Sequence, residues 1–278
     1  MTARGGSGGP GASAGREAGA ATRITTGPAP AGVIVAGPAG APAIIFVHGT
    51  RLTGTIWAAQ QAALSGEFRT IAIDLPAHGA RAEEPFTLEG AADVVGAAIR
   101  DHATGGRAVV VGLSLGGYVA MALAAREPAP IRGLVLSGAT AEPVGPRSLL
   151  FLALAGVMDR VQDERLDRVN ALLFRAWYPP EIAEPIIAGG FWSKGGARAL
   201  RALVGERFIP RLAAYPGPTL ILNGELDVIF RLSAPAFAAA AVDARRVRLT
   251  GAMHLANLDR PFAFSEAVRR FARSLPAD

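Results

Sequence analysis

Cysteine is absent from the 278 residues, which excludes disulfides, thiolate nucleophiles and cysteine–zinc centres. Lysine is nearly absent. Lys194 stands alone among 28 basic side chains, so the net charge of +5 rests on arginine. Those arginines form no dense run and are not interleaved with aromatic residues, so nucleic acid is not an expected partner. Histidine occurs only at 48, 78, 102 and 254, without a ligand spacing such as H-E-x-x-H, and no metal is expected. Long apolar runs are also missing. The longest, from Leu149 to Met158, has 10 residues against the ~20 needed to span a bilayer. Residues 1–21 are mostly Gly, Ala and Ser and lack the apolar stretch of a secretory signal. Such a composition predicts a disordered tail. The chain is therefore expected to be soluble and cytoplasmic. Half of it is hydrophobic, enough for one large domain or a domain with an insertion.

What is present is an alternation of two periodicities. Strand-like pieces fall at 22–26, 32–36, 43–47, 68–74, 108–111 and 131–137. Helical patterns fall at 55–64, at 88–102, and from residue 115 to about 127, just before Pro128. In the second of these, Leu88, Ala91, Val95, Ile99 and His102 recur at helical spacing. Continuous apolar strands between amphipathic helices predict a mostly parallel sheet covered on both faces. The alternation then stops. Residues 141–211 contain helix-like segments at 147–159, 161–176, 180–188 and 196–209 and no strand pattern. Strand chemistry resumes at 219–222 and 246–249, and a last helix starts near Pro261 with Phe264, Val268, Phe271 and Leu275 on one face. The predicted organisation is a tail (1–21), an α/β core (22–140 and 212–278) and a helical insertion (141–211) after the sixth strand.

The most informative motif lies where the strand at 108–111 breaks into a helix. Gly112-Leu113-Ser114-Leu115-Gly116 fits G-x-S-x-G, a strained turn that exposes a serine hydroxyl above a sheet. The pattern alone is weak, because residues 5–9 around Ser7 and 11–15 around Ser13 fit it as well. Neither follows a strand or opens a helix. Ser114 does both, at a helix N-terminus where backbone N–H groups favour negative charge.

Together with the His48-Gly49 loop, the Asp74-x-Pro76-x-His78-Gly79 loop, Asp227 and His254, this elbow resembles the α/β-hydrolase family over roughly 22–275, in the family's order of serine, acid and histidine. The resemblance implies Ser114 as nucleophile and His254, after the strand at 246–249, as base. Asp227 is implied as the acid, with Glu225 as its rival. Asp74 is implied to be a structural turn. The backbone N–H groups of Leu115 and Thr50 would form the oxyanion hole, with Gly49 or Arg51 as alternatives to Thr50. The insertion resembles the family's lid. It offers Trp177, Phe191 and Trp192 as candidate substrate contacts, and Arg51 in the core loop is a further candidate. Leu149 to Met158 is a possible interfacial surface for lipid-like substrates. The expected activity is that of a serine hydrolase on a small carboxylic ester or lactone, needing no cofactor. Other chemistries on the same scaffold are C–C bond hydrolysis, a cofactor-free oxygenase or haloperoxidase, a lyase, or a non-catalytic receptor.

Overall fold

Short runs of β-branched and apolar residues fix the strands, and the computed structural model describes residues 1–2, 31–160 and 164–276. Most of the predicted tail and the strand expected at 22–26 lie outside the described residues. In chain order the elements are β1 (Val33–Ala36), β2 (Ala43–Val47), α1 (Ala58–Leu64), β3 (Arg69–Ile73), α2 (Leu88–His102), β4 (Ala108–Leu113), α3 (Leu115–Arg126) and β5 (Ile131–Ser137). Five helices follow: α4 (Ser148–Arg160), α5 (Glu164–Trp177), α6 (Pro180–Gly189), α7 (Ser193–Leu203) and α8 (Phe208–Ala213). The chain closes with β6 (Pro218–Gly224), α9 (Val228–Ala240), β7 (Asp243–Leu249), α10 (Ala256–Asp259) and α11 (Pro261–Ser274).

The strands form one seven-stranded sheet in the order β1-β3-β2-β4-β5-β6-β7. β1 runs antiparallel to β3, and every other pairing is parallel. β2 and β4 lie at the centre and are buried at every residue, because helices cover both faces. Alternate side chains serve opposite cores, as the pleat requires. Ile45, Val47 and Val110 join Val95 and Ile99 of α2 and most of α3. Ile44, Phe46, Val109 and Val111 join Trp57 and the Phe264–Val268–Phe271 face of α11. Each such buried side chain contributes roughly 1.5–3 kcal/mol of burial free energy. The β7 edge carries exposed Arg245, Arg246 and Arg248, charges that discourage pairing with another strand.

The helical stretch between β5 and β6 contains no strand among the described residues. It follows the fifth described strand, because the piece at 22–26 that made it the sixth is not described. The segment predicted at 196–209 divides into α7 and α8, separated by Gly205 at φ +90°. α8 packs on the core: Phe208 meets Tyr118 of α3 at 4.5 Å between ring centroids. The Glu142 carboxylate accepts from the Phe208 and Ile209 N–H groups, capping the α8 N-terminus. Among the described residues no helix is long and apolar enough to cross a membrane.

Candidate active site

Ligand sites in open α/β sheets gather at the carboxyl ends of the strands, and the singled-out residues lie there. Ser114 stands between β4 and α3 with φ +49° and ψ −114°, a conformation that costs a non-glycine residue about 1–3 kcal/mol. Its surroundings hold it there. The Ser114 N–H donates to the Ser137 carbonyl at 2.7 Å, and the Ser114 carbonyl accepts from Gly117 N–H at 2.9 Å. Three glycines make the turn possible by lacking a Cβ. At Gly112 it would come 2.5 Å from the Gly116 backbone, at Gly116 2.2 Å from the Val47 carbonyl, and at Gly117 2.4 Å from Ala139 Cβ.

His254 stands in the loop between β7 and α10. Its Nδ1 lies 2.8 Å from Asp227 Oδ2, and Asp227, in the loop after β6, is buried. With Nδ1–H donating to that carboxylate, the other ring nitrogen is left as an acceptor. Glu225, the rival acid, turns elsewhere: its Oε2 accepts from Gly251 N–H at 3.0 Å and its Oε1 faces Arg248. The Phe230 ring stacks on the imidazole at 4.9 Å.

Two residues around this pair went unnoticed in the sequence. A Cβ on Gly138, which follows β5 at φ +58°, would fall 2.7 Å from His254 Cε1. Asn223, at the buried end of β6, accepts from Gly138 N–H at 3.0 Å and donates to Thr140 Oγ1 at 3.1 Å. Thr140 in turn donates to the Phe230 carbonyl at 2.7 Å. A polar side chain closing an apolar strand was the available signal for Asn223. For Gly138 the sequence held none, since chain-distant packing defines its role.

The loop after β2 is held by two neutral histidines. The His48 Nδ1–H donates to the Gly49 carbonyl at 2.8 Å, and its Nε2 accepts from Leu75 N–H at 2.9 Å. His78 repeats the pattern, donating to Pro76 at 2.9 Å and accepting from Arg51 N–H at 3.3 Å. Burial lowers the His48 pKa to about 4. Burial, then repulsion from His48, lowers that of His78 to about 3. The Arg51 N–H is therefore already engaged. Those of Thr50 and Leu115 have no acceptor among the described residues, and both residues line the same cavity. Asp74 is a structural turn, as the resemblance implies: its two oxygens accept from Gly54 N–H at 2.8 Å and Ala80 N–H at 2.9 Å.

A cavity of about 610 Å³ brings these groups together, lined by Ser114, Asp227 and His254 along with Thr50 and Leu115. Arg51, Trp177 and Phe191 also line it. Trp192 does not: its indole N–H donates to the Gly189 carbonyl at 2.9 Å, and its backbone N–H to that of Arg51 at 2.8 Å. Tyr178, between α5 and α6, is tied to α10. Its hydroxyl donates to Asp259 Oδ1 at 2.8 Å, and Asp259 Oδ2 accepts from Met253 N–H beside His254. Among the described residues no cluster of three or more His, Asp or Glu side chains is placed to hold a metal ion. A hydroxyl at a helix N-terminus, a carboxylate-bound imidazole and two unengaged amides are the parts that base-assisted nucleophilic attack requires.

Comparison with known proteins agrees with this architecture. The chain is 26% identical over 256 residues to 3-oxoadipate enol-lactonase 1 of Acinetobacter baylyi, covering 87% of this chain and 93% of that one. It is 31% identical over 254 residues to the pimeloyl-[acyl-carrier protein] methyl ester esterase of Xanthomonas campestris pv. campestris, covering 84% and 96%. Among solved structures, a thermophilic esterase from Thermogutta terrifontis superposes with a TM-score of 0.69 at 28% identity, covering 87% and 92%. Residues 44–267 match the sequence profile of the Alpha/beta hydrolase family. On that match, which spans most of the sheet and the helices it carries, the chain belongs to the alpha/beta hydrolase family.

Proposed function

We propose that this hydrolase cleaves carboxylic esters or lactones with a substantial apolar part, through Ser114, His254 and Asp227. The Ser114 hydroxyl attacks the carbonyl carbon as His254 Nε2 takes its proton. Asp227 holds the imidazole in the required tautomer and balances the imidazolium. The Leu115 and Thr50 amides receive the tetrahedral oxyanion. As the carbon–oxygen bond breaks, the imidazolium protonates the departing alkoxide, leaving an acyl-Ser114. Water then attacks the acyl carbon while His254 takes its proton, and the proton passes to Ser114 Oγ as the acid leaves. In a lactone the alkoxide stays tethered, so the product is one hydroxy acid. These residues complete each step without a cofactor.

One observation carries this reading: a serine held at φ +49° faces the same cavity as the Asp227-bound imidazole. The names of the relatives, an enol-lactonase and two esterases, support the choice of ester and lactone carbonyls. The walls support an apolar substrate. Leu150, Leu154, Leu173, Trp177, Ile229 and Met253 line the cavity while each remains at least 41% exposed. We read them as the mouth of the site and α4–α7 as its lid, with Trp177 and Phe191 against the substrate. A panel of p-nitrophenyl esters of varied chain length, run beside small lactones, tests the assignment. Ser114→Ala should lower turnover by about 10⁵-fold or more while the fold is retained. Undiminished turnover in that variant, or none by the folded wild type across the panel, would overturn it.

A further inference from the structure

Two donors in the cavity wall take no part in these steps. Asn170 of α5 lines the cavity, and its Nδ2 is buried without a hydrogen-bond partner among the described residues. Leaving such a group unsatisfied costs about 1–3 kcal/mol, a penalty that a bound ligand would relieve. Arg51, in the same wall, is only partly exposed. Its Nε donates to Ser193 Oγ at 3.1 Å, a neutral partner engaging one of the five N–H groups.

The two donors share one corner. Asp167, Asn170 and Phe174 fall at i, i+3 and i+7 on α5, one face of the helix. The Phe174 ring lies 5.5 Å from that of Phe191, and the Arg51 guanidinium lies 5.9 Å over the same Phe191 ring. The Asp167 charge also acts on Arg51. Arg51 is anchored at its backbone by His78 and Trp192. Gly196 leaves it room, since a Cβ there would sit 2.9 Å from Arg51 Cγ.

We propose that Arg51 and Asn170 form a carboxylate subsite, so that the preferred substrate is a half-ester of an aliphatic dicarboxylic acid or a lactone bearing a free carboxylate. The guanidinium fork matches a carboxylate in two parallel hydrogen bonds, and the Asn170 amide adds a third. Arg51 directly follows Thr50, and both line the cavity with Leu115 and Asn170, so the subsite and the oxyanion position share one chamber. The apolar walls would take the chain between. The substrate class rests on the ester reading above; the subsite itself does not.

The test compares p-nitrophenyl pentanoate with mono-p-nitrophenyl glutarate, which has the same acyl length, and with the glutarate's terminal amide analogue. Wild type should favour the carboxylate over pentanoate by about tenfold or more in kcat/KM, and over the amide as well. Arg51→Gln should collapse that ratio, and Asn170→Leu should lower it about threefold, whatever either does to absolute rates. A purely structural role would move all three substrates together. Preference for pentanoate or the amide, or a ratio unmoved in both variants, would overturn the subsite. Calorimetry of glutarate on Ser114→Ala protein keeps the two proposals apart. Glutarate binding that Arg51→Gln weakens, with no ester turnover in wild type, would retain the subsite and sink the hydrolytic reading. Ester turnover with no glutarate binding would do the reverse.

Discussion

In the floor of the site, around Ser114 and His254, Gly112, Gly116, Gly138 and Gly224 leave no space for a side chain. An added Cβ would come within 2.2–2.7 Å of backbone or of the His254 ring at the first three, and 2.1 Å from the Met253 carbonyl at Gly224. The roof above it is made differently. Phe151, Leu173, Phe174 and Trp177 wall the space with large side chains, and Leu173 and Trp177 are also open to solvent. Its glycines matter only at the seam with the core, where a Cβ on Gly195 would fall 1.9 Å from the Ala77 carbonyl and one on Gly189 2.2 Å from Thr53 Oγ1. The contrast separates two tasks. On the proposed mechanism, backbone close-packing fixes where the hydroxyl, imidazole and amides stand, and exchangeable side chains shape what is admitted. Changes in the floor should therefore lower kcat for every substrate, and changes in the roof should alter the ranking of substrates.

After loss of Ser114 or His254, the largest effect is expected at Asp227. Asp227→Asn should reduce kcat by about 10⁴-fold by favouring the wrong imidazole tautomer, while Glu225→Gln changes it little. Steady-state kinetics of the pair would contradict the assignment if the two results were exchanged. Gly138→Ala comes next. Its methyl must displace the His254 ring, and a shift approaching 1 Å costs on the order of 10²-fold. That loss should appear in kcat with all esters, and an unchanged kcat would mean that the ring has slack.

The floor should also register acid. His48 and His78 are held neutral, with pKa values lowered to about 4 and about 3, whereas the unfolded chain binds those protons near pH 6.5. Stability from these two residues is thus complete above pH 6.5 and is lost as pH falls toward 4 and then 3. For His48 the loss amounts to about 3 kcal/mol. NMR of the histidine Cε1–H resonances, assigned by substitution, should show two rings that do not titrate between pH 8 and 5. Titration of either near pH 6.5 would contradict the paired hydrogen bonds described for the loop. The smallest effect belongs to the roof. Trp177→Ala should lower the ratio of kcat/KM for p-nitrophenyl octanoate over acetate by about three- to tenfold, and an equal fall for both esters would assign Trp177 to the floor's task.

How much of this was legible in the sequence follows the same division. β2, β4, β5, α2 and α11 could be read because their burial leaves a one-dimensional trace, a continuous apolar run or a 3.6-residue stripe. The elbow could be read because strand, glycines, serine and helix are consecutive. Gly138 could not: it serves a ring 116 positions away and carries only its own smallness as a signal. The division at Gly205 was hidden as well, since apolar spacing runs through it while the backbone leaves the helix at Val204, turns at Gly205 with φ +90° and stays extended at Arg207. The resemblance of the insertion to a lid offers Trp192 as a substrate contact, yet its indole binds the Gly189 carbonyl. Asn170 passed unremarked as a polar residue within an amphipathic helix. Its interest comes from the cavity wall it meets, which the local sequence does not encode.

The central claim is that Ser114 is reactive because the Asp227-bound His254 serves it. Mass spectrometry after a fluorophosphonate probe tests this most directly. The account predicts a single adduct on Ser114 in wild type, none in Ser114→Ala, and labelling slowed by orders of magnitude in folded His254→Ala. An adduct on another residue, or equally fast labelling of Ser114 without His254, would contradict it.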